Sequence, residues 1–126
     1  MKEAMRYLAN AKEILKKSPI EDGRFKDDKY VKSACGTAYL AVLKAIDDHL
    51  IKKGLTKKEM PKSVEAYRKA LQKYLSSYDG KLLRQFEDIY DELHIGGYYR
   101  GILHSVEVVK GAFTIAEDFI KKVSSK

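Results

Sequence analysis

Apolar residues recur along this chain at three- and four-residue spacing with few interruptions, the period of helices that bury one face. Met1, Ala4, Met5, Leu8, Ala11 and Leu15 form the first stripe and predict a helix from about Lys2 to Lys17. Lys16 and Lys17 suit the negative end of its dipole, and Ser18-Pro19 stops it. Residues 19–23, Pro-Ile-Glu-Asp-Gly, carry turn chemistry throughout and predict a loop. A second helix is predicted from Asp27 or Asp28, either of which can cap exposed N–H groups, to about Lys53, where Gly54 supplies a stop. Its inner stripe is Val31, Ala34, Cys35, Ala38, Val42, Ala45, Ile46 and His49-Leu50. So many small residues let another backbone come close, which makes this the central helix. Gly36 inside it costs about 1 kcal/mol relative to alanine and points to tight packing there.

The third helix is predicted from Pro61, a residue suited to the first helical position, to about Ser77. Val64, Tyr67, Leu71, Tyr74, Leu75 and Tyr78 form its stripe. Upstream, Thr56-Lys57-Lys58-Glu59 has capping-box spacing, and Pro61 limits it to a single turn. Asp79 can cap a fourth helix that carries Leu82, Leu83, Phe86, Ile89, Tyr90 and Leu93 and ends at Gly96-Gly97. The last helix is predicted from about Tyr98 to Val123, with Tyr99, Ile102, Val106, Val109, Phe113, Ala116 and Ile120 on one face. No segment alternates convincingly at period two, and no unit repeats. The connections are short, so the reading is an all-α, up-and-down antiparallel bundle of four to five helices.

Composition agrees with that picture. The chain has 126 residues, enough for one domain over 1–126 that needs no disulfide or metal. Its 44% apolar and 34% charged residues are those of a globular protein, not a disordered one. No apolar run approaches a membrane span, and Lys12 and Glu13 interrupt the N-terminal segment before it reaches signal-peptide length, so the expectation is a cytoplasmic protein. The net charge of +7 is uneven. Residues 52–73 carry eight Lys/Arg against two acids, whereas residues 79–94 carry two against five. A basic stretch can attract a polyanion, but lysines mixed among helical acids also form an ordinary solvated face, which is the reading preferred.

Candidate chemistry is sparse. No Gly-rich phosphate loop, HExxH motif, paired-cysteine metal motif or Ser-His-Asp set is recognisable. Three scattered histidines, His49, His94 and His104, make no metal site, and no metal or other cofactor is expected. Cys35 sits in an apolar stretch and reads as a small packing residue. The segment from Gly96 to His104 stands apart. Read as the start of a helix, it places Arg100 and His104 four residues apart on one face. Arginine can take a phosphate, histidine can act as acid or base, and Tyr98 and Tyr99 offer stacking surfaces. Tyr98, Tyr99, Arg100 and His104 are therefore the candidate ligand contacts, with Arg100 and His104 the candidates for catalysis. The competing reading makes Gly96-Gly97 a helix–helix turn, the tyrosines core or rim residues, and Arg100 a partner of acids on the fourth helix.

Residues 29–54, KYVKSACGTAYLAVLKAIDDHLIKKG, resemble the early helices of HEPN domains, with their run of small residues, an aromatic-Leu-Ala step and a closing Leu-Ile-x-x-Gly. The end of the chain, with Arg100, His104 and AFTIAEDFIKKV, looks like the HEPN closing helix; together these segments cover about half the chain. The chain is also similar to small uncharacterised bacterial helical proteins related to the substrate-binding partners of minimal nucleotidyltransferases. The resemblance implies a bundle, often homodimeric, that binds a nucleotide, RNA or a nucleotidyltransferase partner. Some HEPN members are ribonucleases in which Arg and His meet across the dimer, separated by four to six residues with a polar residue after the Arg. Here three residues separate Arg100 from His104 and Gly101 follows the arginine. The reading is thus a non-enzymatic binder of a nucleotide, RNA or partner protein. A metal-independent ribonuclease and a purely structural adaptor stand as alternatives.

Overall fold

In the computed structural model, which describes residues 2–75 and 80–126, most periodic stripes become the helices they predict. Helix α1 spans Lys2–Leu15 and buries Ala4, Leu8, Ala11 and Leu15. It ends two residues before the predicted Lys17, as the chain turns at the buried Ser18, whose hydroxyl accepts the Asp27 N–H at 3.0 Å and donates to the Pro19 carbonyl at 3.2 Å. The expected loop contains a small hairpin, β1 (Ile20–Glu21) and β2 (Arg24–Phe25), paired antiparallel with Ile20 opposite Phe25. Asp22 and Gly23 both take positive φ, 52° and 72°, the hand a two-residue Asp-Gly hairpin turn requires. Two-residue strands are too short to show alternation in a sequence.

Helix α2 spans Asp28–Lys52, capped by the Asp27 side chain, which accepts the Lys29 N–H. Every residue of its predicted stripe is buried, and Tyr39 and Ala41 join them. It is central: α1, the segment 90–99 and α5 all pack on it. Thr56 and Glu59 form the expected capping box on one 3₁₀ turn, Lys57–Glu59. Helix α3 starts at Val64, not Pro61, and runs to Tyr74. Proline holds the preceding Met60 extended, at ψ 143°, and Ser63 supplies the cap by accepting the Ala66 N–H at 3.1 Å. The predicted cap Asp79, the stripe residue Tyr78 and the predicted helix end at Ser77 lie outside the described residues.

Helix α4 (Lys81–Ile89) buries Leu82, Phe86 and Ile89 and passes directly into a ten-residue π-helix, Tyr90–Tyr99. Helix α5 begins at Val106, eight residues after the predicted start, and ends at Ser124. The intervening chain is held by the hairpin: Phe25 N–H donates to the His104 carbonyl at 2.8 Å, and Val106 N–H to the Gly23 carbonyl at 2.9 Å. Those pairings fix residues 104–106 against β2 and the turn, and Ser105 then caps α5 by accepting the Val108 N–H. Tyr99 and Ile102, predicted to face inward on the last helix, are 74% and 58% exposed. The architecture is an all-α bundle of five α-helices among the described residues.

Candidate functional site

The π-helix sits against α2 through two glycines, one from each element. A Cβ on Gly97 would stand 2.6 Å from both Cβ and Sγ of Cys35, and one on Gly36 would stand 2.7 Å from the Tyr98 ring. Gly96-Gly97 is therefore no helix–helix turn. Both are buried inside the helix, and Gly97 is glycine because the backbone must approach α2 this closely. The helix stops further on. Arg100 N–H donates five residues back to the Ile95 carbonyl at 2.8 Å, Ile102 N–H to the Gly96 carbonyl at 3.0 Å, and Gly101 takes φ +63°. Long π-helices are rare, and π turns occur frequently at functional sites.

This seating aligns a set of rings. His94 stacks on Tyr39 of α2 at 4.7 Å between centroids, on Tyr90 at 5.4 Å and on Tyr98 at 5.8 Å. Tyr39 continues inward to Phe86 at 6.3 Å, which meets Phe119 of the core. Two adjoining hollows run along the outer side of these rings. The larger, about 440 Å³, is lined by Ser33, Gly36, Thr37, Leu40, His94 and Tyr98 among others. The smaller, about 270 Å³, shares Tyr39, Leu43 and His94 with it and ends at Lys62 and Tyr67. Tyr98 is 48% exposed and Leu40 49%, so the groove is open to a ligand.

The polar groups around the groove are mostly held in place. Tyr67 donates its hydroxyl to Asp47 at 2.9 Å, and burial raises the Asp47 carboxyl above its ordinary range. Arg68 donates to Glu87 at 2.6 Å and lies over the Tyr90 ring. His94 differs. Burial lowers its pKa from the ordinary 6.5, which keeps the ring neutral at pH 7, with one nitrogen a donor and the other an acceptor. Among the described residues neither nitrogen is hydrogen-bonded.

The four residues proposed as contacts do not converge as one helix face. Tyr98 lines the groove. Tyr99 is exposed beyond it. Arg100 stands at the C-terminal end of the π-helix with no ion pair among the described residues, beside Gly101, on which the Lys32 side chain lies. His104 belongs to the extended stretch before α5, its Nδ1 3.1 Å from Asp28 Oδ1. The predicted i, i+4 facing of Arg100 and His104 is thus overturned, because residues 100–105 are not helical. Arg100 also makes no pair with acids of α4. Sequence reasoning missed His94 and Tyr39. The four-residue spacing of Tyr90, His94 and Tyr98 was the available signal.

Other candidates resolve simply. Cys35 is buried, and its thiol is pushed up to about 12, chiefly by burial and then by the Glu92 charge, so it is no nucleophile. Lys57, Lys58 and Lys62 are exposed, while Arg68 pairs with Glu65 and Glu87. Among the described residues, no helix is long and apolar enough to cross a membrane.

A family model described as a domain of unknown function (DUF5618) matches residues 1–125. The fold is similar to that of a solved protein of unknown function from Dyadobacter fermentans, 40% identical, with a TM-score of 0.81 over 98% of this chain and 92% of that one. No curated protein matches the chain.

Proposed function

The chain belongs to the DUF5618 family, a domain of unknown function, and we propose that it is a non-enzymatic, HEPN-like binding module whose aromatic groove holds the base of a nucleotide. The observation that carries this reading is the stack Tyr98–His94–Tyr39, with Tyr98 half-exposed, beside a hollow of about 440 Å³. A planar base finds ring faces there, with the neutral His94 to accept one hydrogen bond and donate another. Arg100 and Lys32, at the Tyr98 end, supply the phosphate contact. Stacking contributes about 1–3 kcal/mol per base, and a hydrogen bond to a charged group about 1.5–3 kcal/mol. Cleavage is not part of the proposal: His104 is engaged with Asp28 and shares no helix face with Arg100.

Calorimetric titration with adenosine monophosphate and adenosine tests it. Tyr98→Ala should weaken both ligands by about 1–3 kcal/mol. Arg100→Ala should weaken the monophosphate by about 1–3 kcal/mol and leave adenosine unchanged. His104→Ala should alter neither, and no variant should cleave RNA without metal. Binding indifferent to Tyr98→Ala would refute the groove, and metal-free RNA cleavage lost in His104→Ala would establish the ribonuclease reading instead.

A further inference from the structure

A separate hollow of about 480 Å³ opens between the C-terminal half of α1, the hairpin and α5, and it shares no lining residue with the aromatic groove. That volume falls within the range of small-molecule sites. Its floor is apolar: Leu15, Phe25 and Phe113, all buried, with the 55%-exposed Ile20 at the edge. Its charged lining is Lys12, Lys16, Lys110 and Glu117. Glu117 already pairs with Lys12 at 2.9 Å and with Lys121 at 3.2 Å, and Glu13 pairs with Lys16 at 3.1 Å. Lys110 has no acidic partner among the described residues, so the mouth carries unbalanced positive charge.

The wall also limits what the body of a ligand can be. The Ser18 hydroxyl is occupied by the Asp27 N–H and the Pro19 carbonyl. The Thr114 hydroxyl donates to the Lys110 carbonyl at 3.0 Å. A polar ligand body would lose its water without finding partners there, whereas an alkyl chain loses nothing. We propose that this hollow binds a monomeric, medium-chain fatty carboxylate, its chain on Leu15, Phe25 and Phe113 and its carboxylate on Lys110.

Octanoate, 1-octanol and octylammonium have equal chains and different head groups, and calorimetric titration of each into the intact protein tests the assignment. Octanoate should bind one per chain, about tenfold more tightly than 1-octanol, the scale of one charge-assisted hydrogen bond. Octylammonium should bind more weakly than either. Lys110→Glu, an exposed change, should weaken octanoate about tenfold and leave 1-octanol unchanged. Thr114→Trp, also at an exposed position, should fill the hollow and abolish both. Adenosine monophosphate binding should be the same in either variant. Absence of octanoate binding would overturn the proposal, as would octylammonium equal to octanoate or an octanoate affinity indifferent to both substitutions.

Discussion

His49 is 4% exposed, and among the described residues its Nε2 is the one buried side-chain polar atom with no hydrogen-bond partner. Burial lowers its pKa from the ordinary 6.5, with Lys53, Lys52 and Lys126 adding to the effect. The unfolded chain therefore takes up this proton first as the pH falls. Stability from the neutral ring is fully present above about pH 6.5 and declines below it, until the lowered folded-state pKa is reached. Urea unfolding between pH 7.5 and 5.5 should show a loss of up to about 1.4 kcal/mol per pH unit from this group. His94, lowered by burial as well, adds a component of the same sign. His49→Leu should reduce the slope and leave the His94 share; an unchanged slope would show that His49 is not a buried neutral group. The spacing places His49 on the inner stripe of α2. That its far nitrogen finds no partner depends on which side chains surround it, which no spacing reveals.

The π-helix is where local sequence signals and tertiary packing part. Gly96-Gly97 reads as a stop because glycine usually marks one, and only the close approach to Cys35 explains why Gly97 sits inside a helix instead. The same limit hid the late start of α5, which is fixed by pairing with a hairpin remote in sequence. By contrast, α1 and α2 were legible almost residue by residue, since burying one face leaves a stripe whatever packs upon it. Gly36 announced tight packing, and the Tyr98 ring is what lies there. The two glycines should respond differently to a methyl group. Gly97→Ala drives a Cβ into the buried Cys35, which cannot move aside, and should cost about 1–3 kcal/mol in urea unfolding. Gly36→Ala meets the half-exposed Tyr98, which can swing outward, so it should cost less stability and more nucleotide affinity. Equal losses of stability would mean that the two contacts are equally rigid.

At the scale of the molecule, two of the hollows lie well apart. One lies along the π-helix and is walled by rings; the other lies under the hairpin and is apolar with lysines at its mouth. Of the residues proposed to hold the nucleotide, Tyr98 and Arg100 could be picked from the sequence because they follow two glycines. His94 offered only its four-residue spacing from Tyr90 and Tyr98, and Tyr39 offered nothing, since it falls on a helix full of core residues and becomes part of a groove only when α2 and the π-helix meet. The sharpest test of the nucleotide reading is chemical-shift mapping of the ¹⁵N-labelled protein titrated with adenosine monophosphate. Saturable shifts are expected centred on Ser33, Gly36 and Thr37 of α2 and on His94 and Tyr98 of the π-helix, lost in Tyr98→Ala. Shifts absent from those residues, or confined to the lysines of residues 52–73, would contradict that reading.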